Sequence, residues 1–116
     1  MDFDYTFWEK SLDPGYYDKI LENGLSKNKG IQSFWHNTTF NLIKNYIKKS
    51  EKHLDYACGP GSFTGRYITI NSLGFDISTN QINYAKTKFS NKKNCNFVSE
   101  KSKVINEAPF DTITVL

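Results

Sequence analysis

Two carboxylates and a glycine-rich bend stand out among the residues able to do chemistry. Asp55 lies in His53-Leu-Asp-Tyr-Ala-Cys-Gly-Pro-Gly-Ser-Phe63, and Asp76 in Leu73-Gly-Phe-Asp-Ile-Ser78. Each segment reads as a short strand running into a turn, which brings both acids and the bend to one end of two neighbouring strands. In an open α/β sheet, ligands bind beyond the carboxyl ends of the strands, near the point where strand order reverses. Gly59 and Gly61 lack a Cβ, so the backbone can approach a ligand and take torsions that other residues avoid. Pro60 stiffens the bend between them. This is the outline of a site for a nucleoside-type ligand.

Three versions of such a site differ in their demands. A phosphate-binding P-loop ends in Gly-Lys-Ser/Thr, whereas Gly61 is followed by Ser62 and Phe63. The dinucleotide fingerprint G-x-G-x-x-G requires glycine where this chain has Thr64. Asp55, just before the turn, would repel a pyrophosphate but accept hydrogen bonds from an ammonium-bearing ligand. Thr64 and Asp55 together therefore argue against a nicotinamide-dependent oxidoreductase. Cys58 reads as a small buried filler, and His53 as a surface or packing residue.

The elements that must position these residues can be read from periodicity. A helix is expected over 33–49, where Phe40, Ile43 and Ile47 recur at helical spacing, with Leu42 and Tyr46 widening the stripe that packs on a sheet. Strands are expected at 53–57, 72–75, 96–99 and 110–116, the last rich in strand-forming Ile113, Val115 and Leu116. Phe63, Tyr67 and Ile68 support a short helix after the bend. Ser78-Thr-Asn-Gln81 has the form of a capping box, opening a helix that buries Ile82, Ala85 and Phe89. Strands alternating with helices imply parallel pairing. Residues 1–32 hold Phe3, Tyr5, Phe7 and Trp8 among the turn formers Asp13-Pro14-Gly15, Asn23-Gly24 and Lys29-Gly30, so short helical pieces joined by turns are expected there.

Composition narrows the partners. The 116 residues suit one domain, and 15 Lys+Arg against 12 Asp+Glu leave a net charge of +3. The lysines are scattered, with clusters at Lys48, Lys49 and Lys52 and at Lys86, Lys88, Lys92 and Lys93. Solvated helix faces account for them, and nucleic-acid binding is not expected. No apolar run approaches the ~18 residues of a membrane span. Met1-Asp-Phe-Asp-Tyr5 is acidic and aromatic where a secretory signal is basic and then apolar, so a cytoplasmic location is expected. Cys58 and Cys95 have no partners at metal-ligand spacing, and no metal is expected.

Asp55-Tyr-Ala-Cys-Gly-Pro-Gly61 resembles the first motif, D-x-G-x-G-x-G, of the class I S-adenosylmethionine-dependent methyltransferases, with Ala57 where glycine is usual. Resemblance implies that the side chain of Asp55 and the backbone of Ala57, Cys58 and Gly59 face the methionine moiety of S-adenosyl-L-methionine, and that Gly61 completes the cofactor-binding turn. It also implies that Asp76 accepts bonds from both ribose hydroxyls, and that Ile77 lies against the adenine. The adenine-amino position falls on Lys101 by count, with Glu100 adjacent, and neither is assigned. Pro109 to Leu116 resembles the entry to the fourth strand, which leaves Asp111 a structural role at the opposite end of the sheet.

The resemblance covers residues 39–116. Gly15-Tyr16-Tyr17 through Phe34-Trp35-His36 looks like the amino-terminal cap of some members, with Trp35 and His36 lining it. The implied architecture is an α/β, Rossmann-like, doubly wound parallel sheet, truncated after the fourth strand. Residues 1–38 would form the helical cap and 39–116 a partial cofactor-binding domain. The implied activity is methyl transfer to a small-molecule or glycan acceptor, with no catalytic residue assignable. The alternative is a non-catalytic nucleoside-binding or split-subunit module completed by a partner. Members of the family continue with a fifth strand and an antiparallel pair, so the chain is expected to be a fragment. Otherwise the edge of its fourth strand is covered by self-association or by another chain.

Overall fold

The computed structural model describes residues 13–27 and 30–116. Four strands, β1 (Lys52–Tyr56), β2 (Asn71–Phe75), β3 (Cys95–Val98) and β4 (Thr112–Thr114), form an all-parallel sheet in the order β3-β2-β1-β4. Between β1 and β2 lies α3 (Ser62–Tyr67), between β2 and β3 lies α4 (Thr79–Lys88), and between β3 and β4 lies α5 (Lys101–Glu107). Two helices, α1 (Tyr16–Lys27) and α2 (Ile31–Ile47), precede the sheet. The result is the expected α/β, Rossmann-like architecture with an amino-terminal helical pair.

Register and alternation decide what each face carries. His53 pairs with Ser72 and Thr112, and Asp55 with Gly74 and Thr114; Ser72 and Gly74 pair in turn with Cys95 and Phe97. Side chains alternate across a strand, so these residues share one face. Leu54, Leu73 and Phe75 point the other way, where Val98, Val104 of α5 and Phe110 cover them. On the first face, Ile82, Ala85 and Phe89 pack on Cys95 and Phe97. A third cluster, Leu21, Ile47, Phe63, Tyr67 and Ile68 with Phe40 and Ile43, joins α1 and α2 to α3.

Several expectations need correction. β1, β2 and β3 each begin one residue early, and β4 is three residues long rather than seven, because β1 offers partners only at His53, Leu54 and Asp55. Phe110 instead packs, half-buried, against Leu54, Leu73 and Phe75. Helix α2 packs on α1 and α3 rather than on the sheet, which leaves Leu42 57% and Tyr46 80% exposed. It runs unbroken from Ile31 to Ile47. Asn23-Gly24 sits inside α1 and makes no turn, the helix being held by buried Asp18 and Leu21 in the turns before it. Helix α5 was not foreseen, as it contains no fully buried residue. The aromatics Phe3, Tyr5, Phe7 and Trp8, and Lys29, lie outside the described residues.

Candidate functional site

The strand order reverses between β1 and β4, and the bend 57–61 leaves the carboxyl end of β1 at that point. Three residues of the bend have positive φ: Ala57 at 63°, Gly59 at 57° and Gly61 at 81°. The two glycines are used differently. A Cβ on Gly59 would meet nothing within 4 Å, so the outer side of the bend is open. On Gly61 it would strike the Phe97 ring at 2.6 Å, so this glycine makes room for the core and not for a ligand. The amide of Cys58 donates to the Phe75 carbonyl at 2.8 Å, and that of Gly61 to the Cys58 carbonyl at 3.1 Å, which ties the bend to β2 and closes it on itself.

Asp76 sits where β2 ends, half-buried beside the bend. Its Oδ2 accepts from the Gly59 amide at 2.8 Å, and its Oδ1 from the Ser78 amide at 2.9 Å. A carboxylate has about four lone-pair positions, so each oxygen keeps capacity for a further donor. Ile77 follows, 41% exposed. Ser78 caps α4 by accepting from the Gln81 amide, but Gln81 does not reciprocate. Its side chain accepts from the Gly15 amide at 2.9 Å and donates to the Asp13 carbonyl at 3.1 Å, so half of the capping box is spent on holding the start of α1.

Asp55 is the main departure. It is only 2% exposed and turned beneath the bend, where Oδ2 accepts from the Thr64 hydroxyl at 2.8 Å and Oδ1 lies 3.4 Å from Thr114 Oγ1. Burial pushes its carboxyl up to about 7; bonds from Thr64 and Thr114 oppose the rise and the Asp76 charge adds to it. It therefore does not present its oxygens to a ligand above the bend. Cys58 is a filler, packed on the Ile82, Ala85 and Phe97 cluster, with a thiol that burial holds well above its usual range. His53 is fully buried, with Nδ1 3.0 Å from Ser72 Oγ and Nε2 2.7 Å from Thr114 Oγ1. Burial lowers its imidazole to about 4.

Ala57, Cys58, Gly59, Asp76 and Ile77 are thus gathered at the strand ends, whereas Asp55 is withdrawn and Gly61 is packed. Asp111 is structural, as expected: its Oδ2 accepts from the amides of Glu51 and Lys52 at the far end of the sheet. Glu100 and Lys101 are exposed just past β3, and Glu100 lies 3.9 Å from Lys103. Trp35 is exposed, and His36 stacks on Phe40 at 5.5 Å. A cavity of about 400 Å³ lined by Lys52, Asn71, Leu73, Lys103 and Phe110 is a separate feature, since neither the bend nor Asp76 lines it.

One anchor had no signature in the sequence. Asp18 of α1 is fully buried and accepts from Ser62 Oγ at 2.7 Å, Arg66 Nε at 2.7 Å, Arg66 Nη2 at 2.8 Å and the Tyr84 hydroxyl at 2.6 Å. Burial pulls its carboxyl up, but the bonds from Arg66, Tyr84 and Ser62 outweigh that and hold it below the ordinary carboxylate value. It thereby clamps α1 to the helices that follow both the bend and Asp76. Thr64 and Thr114 were also unmarked. The available signal was the alternation of polar His53, Asp55 and Ser72 with apolar Leu54 and Leu73.

The sequence matches no protein-family model and no curated protein. Among solved structures, it is similar to a TehB-like SAM-dependent methyltransferase from Corynebacterium glutamicum, with a TM-score of 0.63 and 27% identity over 86% of this chain and 52% of that one. It is similar in fold to the plantazolicin methyltransferase BpumL in complex with SAH, with a TM-score of 0.56 and 20% identity over 95% of this chain and 44% of that one. It is likewise similar to the magnesium protoporphyrin IX methyltransferase ChlM from Synechocystis with bound SAH, at 0.55 and 17% over 69% and 41%. The chain therefore spans about half, or less, of the length of these structures. It has the fold of the class I S-adenosylmethionine-dependent methyltransferases.

Proposed function

We propose that this chain binds S-adenosyl-L-methionine at the bend 57–61 and contributes the cofactor-holding part of a methyltransferase acting on a small-molecule or glycan acceptor. The observation that carries the reading is Asp76. It is fixed by the Gly59 and Ser78 amides in one pose, keeps lone pairs free, and stands beside a bend with open space at Gly59. That arrangement suits a vicinal diol, whose two hydroxyls would each donate to one Asp76 oxygen. Ile77 offers an exposed apolar surface for a flat base. The backbone of Ala57 to Gly59 would lie along the amino-acid tail.

When bound, such a cofactor supplies a methyl group already activated as a sulfonium. The protein's share is then chiefly to fix donor and acceptor in line. Asp76 would orient the nucleoside, and the clamp from Asp18 and Gln81 would hold the helices that frame it. Dispersed pairing of the lysines supports a small acceptor over nucleic acid: Lys88 pairs with Glu22, Lys52 with Glu107, and Lys92 bonds the Ile68 carbonyl.

Calorimetry with S-adenosylhomocysteine tests the reading. Binding is expected, and Asp76→Ala should weaken it by ~1–3 kcal/mol, the cost of leaving ligand hydroxyls unmatched. Unchanged affinity in a folded Asp76→Ala protein would reject the ribose role. A second reading has its own support: among the described residues β4 pairs only with β1 and is an edge of the sheet, which favours pairing of that edge with a strand of another chain. Sedimentation velocity showing only monomer at high concentration would remove self-association.

A further inference from the structure

A sheet covered on both faces normally carries apolar residues throughout its centre. Here the face toward α3 carries a polar row across three strands, His53 and Asp55 on β1, Ser72 on β2 and Thr114 on β4. All four are buried, and their contacts form one line. Asp55 Oδ1 lies 3.4 Å from Thr114 Oγ1, which lies 2.7 Å from His53 Nε2; His53 Nδ1 lies 3.0 Å from Ser72 Oγ, which lies 3.1 Å from the Ile70 carbonyl.

Each hydroxyl in the line has a single proton, and a neutral imidazole has one N–H. With Thr64 donating to Asp55 Oδ2 at 2.8 Å, counting protons leaves two complete arrangements. If Asp55 carries a proton on Oδ1, it donates to Thr114, Thr114 donates to His53 Nε2, His53 Nδ1–H donates to Ser72, and Ser72 donates to the Ile70 carbonyl. If Asp55 is ionised, Thr114 donates to it instead. His53 must then hold its proton on Nε2 and donate to Thr114, while Nδ1 accepts from Ser72. The Ile70 carbonyl still has the Asn94 side-chain amide at 3.0 Å. Thr64 donates to Asp55 Oδ2 in both. Loss of one proton at Asp55 therefore reverses every bond as far as Ser72.

We propose that Asp55, Thr114, His53 and Ser72 form a two-state proton relay beneath the bend, in which the charge on Asp55 and the tautomer of His53 change together. They act as positioning residues: the relay sets the negative charge under the ligand site. The groups facing Asp55 are Thr64 from α3, Thr114 from β4, the Cys58 thiol in the bend and the Asp76 carboxylate past β2. None is cationic, and Arg66 on α3 is spent on Asp18 and Glu22. The ionised arrangement is thus stabilised by hydrogen bonds alone, and Asp55 titrates near neutrality.

A consequence rests on the methyl-donor reading. S-adenosylmethionine carries a sulfonium where S-adenosylhomocysteine has a neutral thioether, and otherwise the two share every titrating group. Ionised Asp55 favours the cation, so the affinity ratio of the two ligands should rise with pH.

The test has two arms. In the ligand-free protein, ring ¹⁵N shifts of His53 should move from the Nδ1–H to the Nε2–H tautomer as pH rises, at the midpoint where the Asp55 ¹³Cγ titrates. In Asp55→Asn, whose amide can donate to Thr114 at every pH, the Nδ1–H form should persist. In Thr114→Val, Asp55 should still titrate without moving His53, and Thr114→Ser should restore the coupling. A His53 tautomer that stays fixed while Asp55 titrates in the natural protein would overturn the relay. In the second arm, the ratio of S-adenosylmethionine to S-adenosylhomocysteine affinity should increase roughly 3- to 10-fold between pH 6 and pH 8, and stay flat in Asp55→Asn. Binding of neither ligand, with the tautomer exchange intact, would support the relay and reject the methyl-donor reading. Binding of both with a constant ratio would show that the relay does not act on the ligand.

Discussion

At the scale of single residues, the backbone at Ala57 separates this chain from the motif it resembles. Ala57 has a φ of 63°, and it is the sole described residue other than glycine with positive φ. In that region Cβ crowds the following carbonyl, at a cost of about 1–2 kcal/mol. Glycine would relieve the strain but give up about 0.5–1 kcal/mol of chain entropy. Ala57→Gly should therefore stabilise the protein by roughly 0.5–1 kcal/mol, read as a higher urea midpoint at constant slope, and a lower midpoint would show that the methyl packs usefully. The motif made the bend and Asp76 legible in the sequence, because glycines and strand-end acids have few other reasons to fall at that spacing. It could not tell a carboxylate above the bend from one beneath it. That difference depends on Thr64 and Thr114, the latter 59 residues away, meeting Asp55 across the sheet.

At the scale of elements, legibility followed burial. Helix α4 was readable because Ile82, Ala85 and Phe89 all reach the core. Helix α5 was not, since its contacts rest on half-buried Val104. Helix α1 continues through the turn signal Asn23-Gly24 because a buried carboxylate, which no apolar stripe announces, helps Leu21 to hold it. Asp18 takes four bonds from α3 and α4. Asp18→Ala would leave the partly buried Arg66 guanidinium to Glu22 alone and take the acceptor from Ser62 and Tyr84, and losing hydrogen bonds to a charged group costs about 1.5–3 kcal/mol. Tyr84→Phe removes one bond and should cost about 1 kcal/mol. Both losses should appear in denaturant unfolding, and amide exchange in α1 should rise far more in Asp18→Ala than in Tyr84→Phe. Equal exchange in the two would mean that Leu21 and its neighbours, not the clamp, hold the helix. The Asp18 carboxyl lies below its ordinary value, so its stabilisation is present above that value and fades as acid protonates it.

At the scale of the whole molecule, Asp55 and His53 pull stability in opposite directions with pH. Asp55 is raised from 3.8 to about 7, so its contribution is complete below pH 3.8 and is lost as pH rises through about 7. His53 is lowered from 6.5 to about 4, so its contribution is present above pH 6.5 and is lost as pH falls through about 4. Between those limits the folded chain holds one proton on Asp55 and none on His53, while the unfolded chain holds one on the histidine and none on the acid. The proton counts match, and the pair adds no slope to the stability curve over that range. Replacing either partner uncovers the other. His53→Gln should become steadily less stable than the natural protein as pH rises from about 4 to about 6.5, the window between the two histidine values, and Asp55→Asn should show the opposite trend from about 4 to about 7. Urea unfolding of the three proteins across that range reads the differences directly, because every other titrating group is common to them. Two variants whose offsets from the natural protein do not change with pH would mean that neither group is perturbed as its burial requires, and the polar row would then be plain packing.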